Sequence, residues 1–299
     1  MTSQTKASPL AFADRPPFPN EIERLRLVMS TFQDGSGQVV KKIPDISFPD
    51  GWDFEACISA VFGGKRLPKY DKSVFDVLIP YPAKGTDAYY GLSCKMRGEL
   101  KKAYKRVGRG TNGRVTMELT NANRELWEAV KKHSVTDKNI GRGDNPAKAG
   151  SALLEKVGQW HDYAKQKDHV MLAKSSYLVL LWQPIPLTFK LYQFSLNLPD
   201  PTELRWFRPK TKNNRPGAHI KGVGKEGTIF EWYFSSGGQL KYYPSADDAR
   251  WQSDEFTLEP LSKGIQEGLL SKVEQYFPDQ WGATFPSSPK LKTTEQGPS

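Results

Sequence analysis

Two apolar segments joined by a proline- and glycine-rich connection constrain the fold of this chain more than any other feature. The first segment runs from Ser73 to Ile79 and the second from Gly91 to Met96. Val, Phe, Ile and Tyr favour extended backbone, and the prolines and glycine between the segments favour a turn. The stretch therefore predicts a pair of antiparallel strands that reverse near Lys84.

This pairing brings an acid on the first strand close to a lysine on the second. A turn near Lys84 places Asp76 level with Leu92 or Ser93. Because side chains alternate faces along a strand, Ser93 and Lys95 share one face. A register that pairs Asp76 with Ser93 places the acid on that face too. A carboxylate and an amine at one end of a sheet suit metal-assisted chemistry on a phosphate.

The remaining pattern predicts an α/β chain of the α+β type, with a mixed central β-sheet flanked by helices. Apolar periodicity predicts helices over residues 20–32 and 52–62, and a further helix that begins at Ser151 after a loop over residues 136–150, which contains Pro146 and three glycines. The continuous apolar run over residues 177–182 predicts a strand that is covered on both faces. Beyond residue 199, aromatic strands separated by long loops predict an irregular, β-rich C-terminal third.

A single domain over residues 20–286 is expected, because 299 residues can bury a sizeable core. Its core covers about residues 50–198, and residues 199–286 elaborate it. Residues 1–19 are rich in Ser, Thr and Pro and predict a flexible N-terminal arm. Residues 287–299 predict a disordered tail for the same reason.

The charge balance points to a polyanionic partner. The chain has 43 Lys and Arg against 33 Asp and Glu, a net charge of +10, which fits nucleic acid or a merely basic surface. Clustering favours nucleic acid, since between Lys95 and Arg114 only Glu99 is acidic. Besides Lys95, we expect these residues to contact DNA phosphates: Arg97, Lys101, Lys102, Lys105, Arg106, Arg109 and Arg114.

The sequence predicts no membrane association and a cytoplasmic location. No apolar run approaches the roughly 18 residues that span a bilayer, and the N-terminus lacks the apolar centre of a secretory signal. Cys57 and Cys94 have neither metal-ligand nor disulfide spacing and predict reduced core thiols. The four histidines share no zinc spacing, and His161, next to Trp160, is expected on the surface of a helix.

Hydrolysis of a phosphodiester with Mg²⁺ is the chemistry that these residues favour. Asp76, Glu55 and the backbone carbonyl of Cys94 are candidate oxygen ligands. Glu55 lies on the helix just before the Asp76 strand, although a solvated helix face explains it equally well. Lys95 would hold or deprotonate the attacking water and offset charge in the transition state.

Three short segments resemble the PD-(D/E)XK nuclease superfamily, most closely its type II restriction endonucleases. They are Phe54-Glu55 on a helix, then Phe75-Asp76-Val77 and Ser93-Cys94-Lys95 on strands. The resemblance implies that Asp76 binds metal, that Lys95 is catalytic and that Glu55 is the helix acid. It also implies a restriction-endonuclease-like fold, a Mg²⁺ cofactor, double-stranded DNA as substrate and a homodimer.

Ser93 departs from the family pattern, because Glu or Asp is usual there. Serine is a poor Mg²⁺ ligand, so this member of the catalytic motif leaves one carboxylate to be supplied from elsewhere. Glu118 on a later strand is the first candidate and Glu99 the second, while a surface position on an edge strand is the plain alternative for Glu118. Two other functions remain open: a structure-specific repair or recombination nuclease, and a DNA-binding protein without catalysis.

Overall fold

The computed structural model describes residues 9–40, 43–68, 74–83, 86–103, 113–235, 238–261 and 269–285. Its helices within these ranges are α1 (Pro19–Ser30), α2 (Gly51–Phe62), α3 (Leu100–Ala103), α4 (Asn123–Lys131), α5 (Asn145–Lys167), α6 (Leu269–Tyr276) and α7 (Pro278–Ala283). The strands are β1 (Gln38–Val40), β2 (Ile43–Phe48), β3 (Lys65–Arg66), β4 (Val77–Ala83), β5 (Thr86–Arg97), β6 (Met117–Thr120), β7 (Ser176–Pro184), β8 (Leu187–Ser195), β9 (Arg205–Phe207), β10 (Ile220–Gly224), β11 (Gly227–Tyr233), β12 (Gln239–Tyr242) and β13 (Trp251–Gln252).

The central sheet is mixed, as the sequence predicts, and its described strands lie in the order β13–β8–β7–β5–β4–β3. β4 and β5 are antiparallel, and Val77 opposite Leu92 is the last pair of their ladder; counted one residue further, this register sets Asp76 level with Ser93. The predicted hairpin and one of its two predicted registers are therefore confirmed. β5 and β7 run parallel, and the chain between them passes through α5.

A second sheet is antiparallel throughout and has the described order β6–β12–β11–β10–β9. The aromatic segments over residues 205–208, 228–234 and 239–243, which the sequence predicts as strands, correspond to β9, β11 and β12, and β10 joins them. The register shifts between Gly222 and Val223 and between Leu240 and Lys241. The sheet also recruits β6 from the middle of the chain, where Glu118 lies opposite Lys241. The C-terminal third is therefore tied to the residues that follow the basic segment.

The central sheet is covered on both faces, as the apolar run in β7 predicts. Tyr177 and Val179 face the core that α5 and the second sheet share. Leu178 and Leu180 face the core that contains side chains of α1, α2 and α6. Because side chains alternate along this apolar strand, β7 contributes residues to both hydrophobic cores.

Residues 9–18 pack against the domain, so the prediction of a flexible arm is wrong for them. Phe12 is 2% exposed, and its ring lies 4.8 Å from that of Phe62. Gln193 Nε2 donates to the Phe12 carbonyl at 2.6 Å. One aromatic anchor outweighs the polar composition that suggested disorder. Residues 1–8 and the predicted tail 287–299 lie outside the described residues.

α5 begins at Asn145, six residues before the predicted start at Ser151. Pro146 suggested a loop, but proline is tolerated in the first turn of a helix, where backbone N–H groups have no helical acceptor. None of the helices described has the length and apolar character to cross a membrane.

Two glycines of α5 give a matched test of how the second sheet docks. A Cβ at Gly150 would overlap the Trp206 indole, whereas a Cβ at Gly158 meets nothing within 4 Å. Gly150→Ala should lower the free energy of unfolding by about 1–3 kcal/mol through overpacking. Gly158→Ala should raise it by about 0.5–1 kcal/mol through helix propensity.

Urea denaturation followed by circular dichroism measures both variants. Equal effects of the two substitutions would contradict the close approach of α5 to Trp206.

Candidate active site

A cavity of ≈ 500 Å³ opens where the end of β5 meets β6, α2 and α5. Five of the seven residues predicted as candidates for catalysis or metal binding line it: Asp76, Lys95, Glu55, Cys94 and Glu118. Residues from a helix, a hairpin and a strand of the second sheet therefore converge on one cavity. Ser93 and Glu99 are not among the lining residues.

Asp76 is fixed at the point where the β4–β5 pairing ends. The ladder stops at Val77 and Leu92, while β5 continues to Arg97. The N–H group of Cys94 lies beyond that ladder, and it donates to Asp76 Oδ2 at 2.7 Å. Asp76 is 6% exposed. A buried side-chain carboxylate thus takes the place of a strand carbonyl.

Lys95 completes the predicted acid–amine pair. Its Nζ lies 3.7 Å from Asp76 Oδ2, and its side chain is 18% exposed. The separation exceeds a direct hydrogen bond, so the two groups attract each other through charge while the amine stays open to the cavity. An anionic substrate would meet both groups at once.

Ser93 supports the loop that carries Asp76. The residue is 1% exposed, and its Oγ donates to the Val74 carbonyl at 3.1 Å. The same Oγ lies 3.5 Å from Asp76 Oδ2. The Ser93 hydroxyl therefore stabilises the position of Asp76 without lining the cavity.

Glu55 lies on α2, a helix whose first turn is capped by the Asp50 side chain. Only 7% of Glu55 is exposed, and it lines the cavity with Asp76. Of the two explanations that the sequence leaves open, the solvated helix face is wrong. A nearly buried carboxylate at a cavity is unusual for a helix whose only task is to cover a sheet.

Glu118 reaches the cavity from the second sheet, but its carboxylate is already engaged. Arg97 Nη2 donates to Glu118 Oε2, and both residues line the cavity. The second candidate, Glu99, pairs with Lys102 at 2.8 Å. Burial raises the Glu99 pKa, yet hydrogen bonds from Lys102 and Thr116 outweigh it and hold that pKa below its usual value.

The predicted phosphate-contacting residues divide into three groups. Lys101 and Lys102 on α3 are exposed. Arg97 and Arg114 make contacts within the protein, since Arg114 donates to the carbonyls of Tyr243 and Glu226 at 3.2 Å each. Three lie outside the described residues: Lys105, Arg106 and Arg109.

Sequence reasoning misses two pairs of side chains at the cavity wall. Trp160 Nε1 donates to Glu125 Oε2 at 2.9 Å, and both residues line the cavity. Tyr177, opposite Ser93 on β7, places its hydroxyl 3.2 Å from Nε2 of His161.

The sequence suggests a surface helix position for His161, which is wrong because the residue is 8% exposed. Burial lowers its pKa. The helical spacing of His161 from Val157, a buried residue one turn earlier, is the signal that indicates an inward side chain.

The donor set fits a magnesium site built on two carboxylates. Among the described residues, no three Asp, Glu, His or Cys side chains form a group that could hold a metal ion. Mg²⁺ commonly binds through one or two carboxylates and completes its shell with waters and substrate phosphate oxygens. Asp76 and Glu55, which line the same cavity, could supply these two carboxylates, and the Cys94 carbonyl is a further candidate oxygen.

The Asp76 carboxylate should stabilise the fold apart from any catalytic task. Asp76→Ala leaves the Cys94 N–H without its acceptor, which should cost about 1–3 kcal/mol of unfolding free energy. Asp76→Asn retains an acceptor oxygen and should unfold close to wild type in urea. Equal unfolding midpoints for both variants would contradict this role.

The chain matches no protein-family model, no curated protein and no solved structure. Its resemblance to restriction endonucleases thus rests on the quoted segments. The geometry of the cavity that Asp76, Lys95 and Glu55 line is the second basis for a function.

Proposed function

We propose that this protein is a Mg²⁺-dependent type II restriction endonuclease, which hydrolyses phosphodiester bonds of double-stranded DNA at a specific sequence. The observation that carries the proposal is the one cavity that Asp76, Lys95 and Glu55 line together. Two nearly buried carboxylates and an amine in one cavity, in a chain of net charge +10, suit a cation-assisted reaction on a polyanion.

Asp76 and Glu55 would hold the Mg²⁺ ion, with the Cys94 carbonyl as a further oxygen. When bound, the ion would polarise the scissile phosphate and make an attacking water more acidic. The hydrogen bond from the Cys94 N–H fixes one oxygen of Asp76 before substrate arrives. Preset geometry of this kind avoids reorganisation during the reaction.

Lys95 would act on the substrate itself. Its ammonium can donate a hydrogen bond to the attacking water or to a phosphate oxygen, and it offsets the negative charge that grows in the transition state. The 3.7 Å distance to Asp76 keeps the amine beside the proposed metal ligands. Attack by water breaks the bond between phosphorus and the leaving oxygen, which takes up a proton.

Duplex DNA would be held chiefly through phosphate contacts. The exposed Lys101 and Lys102 lie just beyond the end of β5, so they can contact the backbone that enters the cavity. Affinity that rests on such contacts falls steeply with salt. Cutting both strands of a symmetric site favours a homodimer.

A DNA-binding protein without catalysis is the second candidate. Ser93 in place of an acid, and the absence of a three-ligand group among the described residues, favour it. A structure-specific nuclease would use the same cavity but would read DNA shape.

Incubation with several long DNAs in Mg²⁺, against EDTA controls, tests the proposed function. We expect discrete fragments in Mg²⁺ and intact DNA in EDTA. Nicking confined to branched or mismatched DNA would replace restriction by structure-specific cleavage. Intact DNA that still shifts on a gel would favour the second candidate.

Lys95→Ala should lower the cleavage rate by about 10²-fold or more, because it removes a preorganised charge from the reacting phosphate. Duplex binding measured by gel shift in EDTA should change little. Lys165→Ala removes the same charge from an exposed position near the end of α5 and serves as the control. Full cleavage by Lys95→Ala would refute the mechanism.

A further inference from the structure

The Arg97–Glu118 ion pair joins the two sheets inside the cavity. Arg97 ends β5, and Glu118 lies on β6 of the second sheet. Arg97 follows Lys95 by two residues, so alternation places both cations on the same face, about 7 Å apart along the strand. The pair therefore lies beside the proposed catalytic lysine.

Glu118 also ends a row of alternating charges across the second sheet. Strand register places Lys221 opposite Glu231, Glu231 opposite Lys241, and Lys241 opposite Glu118. Lys221 contacts Glu231 at 2.7 Å. The second sheet thus presents Glu118 to Arg97 from a rigid, charge-balanced surface.

Two tyrosines hold Glu231 firmly within this row. The hydroxyls of Tyr233 and Tyr243 donate to Glu231 Oε2 at 2.6 and 2.7 Å. Burial raises the Glu231 pKa, but the hydrogen bonds from Lys221 and both tyrosines outweigh it and hold that pKa below its usual value. Glu231 therefore stays ionised beside Lys241 at neutral pH.

We infer that Arg97 binds a phosphate of the substrate strand inside the cavity, and that Glu118 is the positioning residue that orients its guanidinium. The inference rests on the proposed function and assigns Glu118 a different task from metal binding. A guanidinium has five N–H donors, so one carboxylate leaves donors for a phosphate. The Arg97 side chain is 34% exposed and that of Glu118 19%, so the arginine is the more accessible partner.

The charges around Glu118 favour a role in orienting Arg97 over a role in binding metal. A carboxylate already paired with Arg97 and opposite Lys241 has less attraction left for a metal ion. A phosphate, by contrast, gains a charge-assisted contact from the Arg97 guanidinium. Guanidinium groups bind phosphate oxygens with two parallel hydrogen bonds when a partner fixes their plane.

A double-mutant cycle of Arg97→Ala and Glu118→Gln tests the inference on duplex binding without Mg²⁺. Fluorescence anisotropy of a labelled mixed-sequence duplex, at stepped KCl concentrations, gives the affinity and its salt slope. Arg97→Ala should weaken binding about tenfold, the loss expected for one charge-assisted contact. It should also reduce the salt slope by about 1.

Glu118→Gln should weaken duplex binding when Arg97 is present. It should have no effect on binding once Arg97 is Ala, because a positioning residue acts only through its partner. The Mg²⁺ concentration for half-maximal cleavage should stay within about twofold, whereas loss of a metal ligand would raise it at least about tenfold. Arg124→Ala, which removes one charge from an exposed helix pair with Glu128, is the matched control. Thermal unfolding checks that each variant is folded.

An unchanged salt slope in Arg97→Ala, or equal effects of Glu118→Gln in both backgrounds, would overturn the inference alone. A wild-type chain that cuts no DNA would overturn the proposed function, while the binding cycle would still decide whether Arg97 contacts phosphate.

Discussion

The Cys94 N–H to Asp76 hydrogen bond is the contact on which the cavity depends. It forms because the C-terminal end of β5 extends past Val77, the first residue of β4, so that the edge of β5 offers a donor where β4 no longer supplies a carbonyl. Supplying the acceptor from a carboxylate places a negative charge at the sheet end with its orientation fixed. Ser93 stabilises the Asp76 loop by donating a hydrogen bond to the Val74 carbonyl. The Asp76 carboxylate in turn attracts the ammonium group of Lys95.

The local part of the site is predictable from the sequence because it depends on alternation. A two-residue period and a turn near Lys84 determine that Asp76, Ser93 and Lys95 share one face, and the structure has that register. The sequence places Glu55 on the helix before the Asp76 strand, but the choice between a site acid and a solvated helix face is decided only by its burial in the structure. These relations involve neighbours in sequence or one hairpin.

The parts that escape prediction involve contacts between distant elements. β6 belongs to the second sheet, where it pairs antiparallel with β12, more than 100 residues later in the chain. The pairing of Glu118 with Arg97 follows from that docking and not from any spacing in the sequence. His161 differs from Glu118: its helical spacing from the buried Val157 indicates an inward side chain, but its partners Tyr177 and Phe75 are known only from the structure.

α5 also gives the molecule a mechanical link. In its N-terminal half, the helix packs at Gly150 against the Trp206 indole of the second sheet. Ten residues further along the same helix, Trp160 lines the cavity. At 1.5 Å per residue these points are about 15 Å apart on a single rod. A helix does not bend appreciably over three turns, so a tilt of the second sheet on Trp206 would be carried to Trp160 as a change in the width of the cavity.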